Sequence, residues 1–274
     1  MSTDDNPGPD NPPVRLQHSR HGAVAEVVLA SPATRNALSR VVLEALSSTL
    51  DTVLAQVHAS VVRAVVLTHE PPVFCAGLDL RERVADHRSL AGRTGGATSS
   101  GRAMAHVLGQ LMSMPVPTIA AVSGPTRAGG IGLMAACDLP VVRRDADFSF
   151  SEVRIGVAPS IISVPVLARC SWSSIAAPFL TGEVFGATEA LRIGLVTHVT
   201  DDVDATVQSL CDGVLAGAPG AVLATKRLLR DRSADLQALT EMARQSDELF
   251  RTTEAAEGMS AFLEKRRPAW HPER

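Results

Sequence analysis

Three groups in the 274-residue chain could do chemistry together: a glycine-led helix start at Ala128-Gly129-Gly130, a turn at Ala76-Gly77-Leu78, and a carboxylate at Glu152. Thr118 to Val122 is a short β-branched and apolar run of the kind that makes a buried strand. Gly124-Pro125 breaks it, and from about Gly129 the small and apolar residues fit the first turns of a buried helix. Ala128, Gly129 and Gly130 then stand at a helix N-terminus, where N–H groups lack intrahelical partners and the dipole is positive. Three readings compete: tight strand–loop–helix packing, a dinucleotide fingerprint, and an oxyanion hole aimed at a carbonyl oxygen that gains negative charge. Gly130-Ile131-Gly132-Leu133-Met134-Ala135 does fit G-x-G-x-x-A. The fit is poor in context, because Ser123 to Gly129 separate the strand from glycines that should leave it directly.

An oxyanion hole needs a second donor and an acid or base. In Phe74-Cys75-Ala76-Gly77-Leu78-Asp79-Leu80, Asp79 with Glu82 three residues on fits a capping box, so a helix is expected from Asp79. Gly77 permits an unusual turn just before it and leaves the Leu78 N–H outside any sheet ladder, although such turns are often purely structural. Glu152 is the acid or base candidate. A lone loop glutamate is ordinarily solvated, but Phe150 and Val153 beside it would bury it in part and raise its pKa toward the general acid/base range. Cys75 is a conceivable nucleophile, yet no histidine stands at a suggestive spacing. His69, His87 and His106 read as surface or loop residues, and no pair has metal-ligand spacing.

The elements that must position these groups alternate. Ala23 to Leu29 reads as a strand; Ser39 caps a helix to about Val57; Val62 to Thr68 is the next strand. Leu90 to Gly101 has the Gly/Ser/Thr composition of a lid or access loop, and helix resumes over Arg102 to Met112. Val141-Val142 makes a further short strand, and an apolar helix follows Pro159. This alternation implies an α/β core with crossover connections. Beyond about Asp201 the pattern is purely helical, over 203–215, 218–229, 234–251 and 257–265. The expected organisation is a disordered Asp/Asn/Gly/Pro-rich tail at 1–13, a core at 14–200 and a helical extension at 201–274.

Composition sets bounds on function. A hydrophobic content of 45% with 20% charged residues is that of a globular protein, and a net charge of −3 argues against a general nucleic-acid surface. The chain has no tyrosine, so an aromatic platform for stacking bases is not expected. Four scattered cysteines without C-x-x-C spacing speak against a zinc site or a disulfide framework. No basic-plus-apolar signal region opens the chain and no apolar run approaches membrane-spanning length, so a cytoplasmic protein is expected.

Taken together, the motifs resemble the enoyl-CoA hydratase/isomerase, or crotonase, superfamily from about Val24 onward. The carriers are Pro32 to Ser39, Phe74 to Leu80, Gly124 to Asp138, Ser151 to Val157, Leu180-Thr181-Gly182-Glu183, Gly194-Leu195-Val196 and Phe262 to Arg266. The resemblance implies a spiral of β-β-α units with a C-terminal helical extension that mediates trimers, or trimers stacked as hexamers. It also implies an acyl-CoA substrate, with CoA part of that substrate, no further cofactor and no metal. Carried over by position, the N–H groups of Leu78 and Gly129 would polarise the thioester carbonyl, and Glu152 would be the general acid/base. Backbone around Ala76, with Arg35, would lie near the nucleotide or pantetheine arm. Lys226, Phe262 and Lys265 would approach adenosine and phosphates, the last two from this or a neighbouring subunit; a solvated helix lysine is the alternative for Lys226. Two positions depart from the pattern. Gly132 stands where many family hydratases carry a first glutamate, and Ser160 where many members have glycine after the proline.

Some family hydratases acting on branched glutaconyl-type esters resemble this chain in having Glu152 with glycine at the first site, and Ala158 to Ser163 resembles their loop. Addition of water to a 2-enoyl-CoA is therefore the expected reaction. Double-bond isomerisation through one carboxylate and a non-catalytic acyl-CoA binding protein are the alternatives.

Overall fold

The computed structural model describes residues 12–82, 84, 99–230, 235–266 and 268–269. Residues 1–11 of the expected tail, residues 90–98 of the expected access loop, and His87 lie outside them. Strands β1 (Val14–Ser19), β2 (Val24–Leu29), β3 (Ala64–His69), β4 (Thr118–Val122), β6 (Leu139–Arg143) and β9 (His198–Thr200) form one sheet in the order β1-β2-β3-β4-β6-β9. Only the β1–β2 pair is antiparallel. Strands β5 (Thr126–Arg127), β7 (Asp147–Ser149) and β8 (Phe185–Gly186) make a small second sheet.

The central strands are near-continuous apolar runs because both of their faces are covered. Val65, Leu67, Ala120 and Val122 point into the main core, which they share with Leu43, Leu46 and Leu50 of α1 (Arg40–His58) and Leu108 and Leu111 of α2 (Ser99–Ser113). The alternate residues Ala64, Val66, Ile119 and Ala121 meet Val203, Val207 and Cys211 of a later helix. Strand β1 was not expected from the sequence. It is a half-exposed edge strand, and only Val14 and Leu16 in Val-Arg-Leu-Gln-His-Ser carry its apolar face.

Helix α1 starts as the sequence predicts, with the Val42 N–H donating to Ser39 Oγ at 3.2 Å. The capping box at Asp79 is only half made. Asp79 Oδ1 accepts from the Arg81 N–H, but Glu82 turns away to accept from the Arg40 N–H at 2.9 Å, capping α1 instead. Helix α2 begins at Ser99 rather than Arg102.

Next come α3 (Gly129–Ala136), α4 (Ser160–Leu167), α5 (Trp172–Thr181) and α6 (Ala187–Arg192), then the extension: α7 (Val203–Ala216), α8 (Pro219–Arg230), α9 (Asp235–Phe250) and α10 (Thr253–Leu263). The extension folds back on its own core. Helix α7 is the later helix that covers the outer face of the sheet, α9 lies against α2 and α4, and α10 packs on the 3-10 turn Ser151–Ile155. Contact there is close, since a methyl group on Gly258 would fall 2.5 Å from the Ile155 carbonyl.

Candidate active site

The site lies beyond the C-terminal ends of β3 and β4, where the loops leaving both strands meet. Asn36, buried in the loop before α1, anchors the first of them. Its Oδ1 accepts from the Ser31 N–H, and its Nδ2 donates to the carbonyls of Glu70 and Val73. Leu38 then pairs with Leu78 as in a parallel sheet: the Leu38 N–H donates to Gly77 O at 2.8 Å, and the Asp79 N–H donates to Leu38 O at 3.3 Å. That pairing uses the groups flanking Leu78, so the Leu78 N–H itself points the opposite way. Gly77 has φ +91°, a conformation available to glycine at little cost, and this makes the turn.

The loop leaving β4 arrives from the other side. Arg127 N–H donates to Cys75 O and Ala128 N–H to Ser149 O, which pins the start of α3 against the 75–78 loop. The Ala128 carbonyl takes the first helical bonds, from Ile131 and Gly132. No acceptor lies on the N–H of Leu78 or of Gly129 among the described residues. A methyl on Gly129 would sit 3.8 Å from Leu78 N, and one on Gly77 would sit 3.7 Å from Gly129 N, so the two amides share one small space. Ala128, the N-cap, adopts φ 46° and ψ −117°. L-residues rarely occupy that region, and it stores of order 1–3 kcal/mol of strain.

Both amides border a cavity of about 430 Å³ whose wall includes Glu152, Ser160, Ile162 and Phe250. Glu152 lies in the 3-10 turn, two residues after buried Phe150 and three before buried Ile155. Part of the residue meets solvent, but its Oε2 is fully enclosed and has no hydrogen-bond partner among the described residues. Desolvation pushes the carboxyl up to about 7, against the smaller opposing effect of its own backbone N–H. A carboxyl at that value exchanges protons readily near neutral pH.

The departure at Gly132 has a steric counterpart. A methyl there would lie 2.5 Å from Ile162 Cγ2 and 3.0 Å from Ile162 Cβ, with Met104 Cε at 3.5 Å. Ile162 thus fills the space a first glutamate would need. No sequence signal exposed this, because the two residues belong to separate helices.

The expected CoA-binding residues divide. Arg35, Ala76 and Phe262 line the cavity, Phe262 from this same chain, and so do Arg266 and Pro268, which the sequence reading did not select. Lys265 does not line it; the residue is exposed and left-handed (φ 54°) just past the end of α10. Lys226 is neither at the site nor solvated. Its Nζ lies 2.6 Å from Asp138 Oδ2 and donates to Val116 O at 2.7 Å, at the beginning of β4, the end remote from the cavity. Asp138 also accepts from the Thr118 N–H and hydroxyl, so the lysine neutralises a carboxylate that is already hydrogen-bonded.

His69, expected at the surface or in a loop, is instead buried at the end of β3. The Ser123 N–H donates to its Nε2, leaving Nδ1 to donate to Glu70 O, and burial lowers its pKa. His106 is exposed, as expected. Cys75 is inert as a nucleophile, since burial pushes its thiol up to about 12. No cluster of three metal-ligating side chains occurs among the described residues.

Two amides without acceptors among the described residues and a carboxyl of raised pKa, lining one mostly apolar cavity, define a site that could stabilise an enolate-like oxyanion beside a proton-transfer group. Residues 19–273 match the family described as Enoyl-CoA hydratase/isomerase, and the chain belongs to that family. It is similar to a solved structure of an enoyl-CoA hydratase from Mycobacterium avium, with 38% identity, a TM-score of 0.81, and coverage of 94% of this chain and 99% of that one. It is 31% identical to the human enoyl-CoA hydratase domain-containing protein 2, mitochondrial, over 89% of this chain and 84% of that protein. It is 29% identical to the mouse methylglutaconyl-CoA hydratase, mitochondrial, over 87% and 76% respectively. The crotonase-type α/β fold expected from the sequence is the fold observed.

Proposed function

We propose that the protein adds water across the double bond of a 2-enoyl-CoA thioester. One observation carries the reading: Glu152, with its enclosed Oε2, and the amides of Leu78 and Gly129, all three atoms without a hydrogen-bond partner among the described residues, border the same cavity. The thioester oxygen would accept from both amides, one of them at the positive end of α3. Glu152 takes a proton from water as the water oxygen bonds to Cβ. Charge then gathers on the thioester oxygen, and Glu152 returns the proton to Cα, which makes the addition syn. Each donor of this kind is typically worth about 2.7–4 kcal/mol of barrier. Arg35, Phe262 and Arg266 line the cavity where the CoA arm would enter, and no cofactor beyond the substrate's own CoA is required.

A specific observation favours isomerisation as the second reading. With Ile162 packed on Gly132, one carboxylate remains, and one is sufficient to move a proton between Cα and Cγ. Crotonyl-CoA, a 3-enoyl-CoA and a branched glutaconyl-CoA separate the cases when conjugated-thioester absorbance is followed beside a Glu152→Gln control. Loss of absorbance with crotonyl-CoA that disappears in the control supports hydration. A gain with the 3-enoyl ester alone moves the assignment to isomerase, and equal inertness of both proteins on every ester leaves a binding protein. We further propose a trimer or hexamer, in which exposed Leu228 and Leu229 on α8 would be covered; light scattering that finds only monomer at micromolar concentration refutes it.

A further inference from the structure

Resting on the hydratase reading, we propose that the Ser160 hydroxyl holds the attacking water for Glu152, as a positioning residue that takes over a water-holding role from a different place in the cavity wall than Gly132. Ser160 is the first residue of α4 and lines the same cavity as Glu152 and the two amides. It is 9% exposed, so its polar groups face the cavity or the protein and hardly meet bulk solvent. Two of those groups are already engaged. Its N–H donates to Ala158 O at 2.8 Å, an inverse γ-turn about Pro159 (φ −73°, ψ 50°), and its carbonyl accepts from Ser163 Oγ at 2.6 Å. The hydroxyl has no partner among the described residues and is not sealed off, since it is missing from the enclosed polar atoms that lack a bond while Glu152 Oε2 is among them.

A buried hydroxyl without a partner is costly unless water or a ligand satisfies it. The Gly132 position does not supply the second contact that a bound water needs, because Ile162 covers it with carbon. Ser160 can both donate to and accept from a water whose other partner is Glu152. Glycine, the residue that the family resemblance leads one to expect here, lacks that group.

The test compares two rates in the same preparations: hydration of crotonyl-CoA, and uptake of deuterium at Cα of butyryl-CoA in D₂O. Exchange needs the oxyanion donors and Glu152 but no water addition. For Ser160→Ala the ratio of hydration to exchange should fall about tenfold through kcat rather than KM, the effect of one lost hydrogen bond. Ser160→Thr, which keeps a hydroxyl, should recover most of the ratio. An unchanged ratio, whether both rates persist or both fall together, overturns the proposal and leaves the hydratase reading standing. Wild-type protein that exchanges without hydrating refutes both, and wild-type protein that does neither refutes the enolate chemistry itself.

Discussion

Adding one methyl group at Gly132 probes the packing that separates this site from a two-glutamate site. In Gly132→Ala the new Cβ would meet Ile162 Cγ2 at 2.5 Å and Ile162 Cβ at 3.0 Å, about an ångström inside the usual carbon–carbon separation of roughly 3.5–4.0 Å. Rotating Ile162 about χ1 moves Cγ2 but not Cβ, so α4 itself has to retreat. Overpacking of this kind costs about 1–3 kcal/mol, and replacing a mid-helix glycine by alanine returns roughly 0.5–1 kcal/mol. The net expectation is a loss of up to about 2.5 kcal/mol, centred on about 1 kcal/mol, or a Tm lower by up to roughly 10 °C at fixed protein concentration. Ile162→Ala alone opens a hole and should cost about 2–5 kcal/mol. Because the same two side chains are involved, the double variant should be less damaged than the sum by about 1–3 kcal/mol. Gly132→Glu should likewise fold well only when Ile162 is shortened. A Gly132→Ala protein that melts at or above the wild-type temperature, or costs that simply add, would show that Ile162 does not occupy this space.

Three further outcomes are expected. In Glu152→Gln, hydration should be lost and the protein should be more thermostable than wild type above pH 7. The carboxyl is raised from 4.5 to about 7 by burial, so Glu152's contribution to wild-type stability is fully present below pH 4.5, falls as pH rises and is lost once pH passes 7. The Tm gap between the two should therefore open across that window, and a gap that is constant with pH contradicts the burial. Ala128→Gly should relieve the φ 46° strain and raise stability by about 1 kcal/mol once glycine's entropy is counted, with activity kept because the donor is the Gly129 backbone; thermal melts and kcat check both. Lys226→Met should destabilise by about 3–5 kcal/mol, because it strands the Asp138 carboxylate at a mostly buried position, while leaving KM for an acyl-CoA unchanged. A raised KM in a protein of normal stability would instead put Lys226 at the ligand.

Features written in local chemistry could be read from the chain. Thr118–Val122 forms a strand and Gly129 opens a helix because period and composition act within a few residues, and Ser39 caps α1 through a bond to its own first turn. The two donor loops and Glu152 were legible for the same reason, since Gly77, the glycine-led helix start and a glutamate beside Phe150 are local signatures. Position in space decided the rest. The Leu78 and Gly129 amides share one space only because β3 and β4 lie side by side and Asn36 anchors the loop between them. Glu82 left the capping box because the start of α1 offered its amide nearby. Lys226 carries no mark in sequence of its pairing with Asp138, nor Gly132 of Ile162 packed on it, since each pair meets across separate elements. Periodicity tells which face of a helix turns inward, but the contact made there depends on a distant segment that only the assembled core brings into reach.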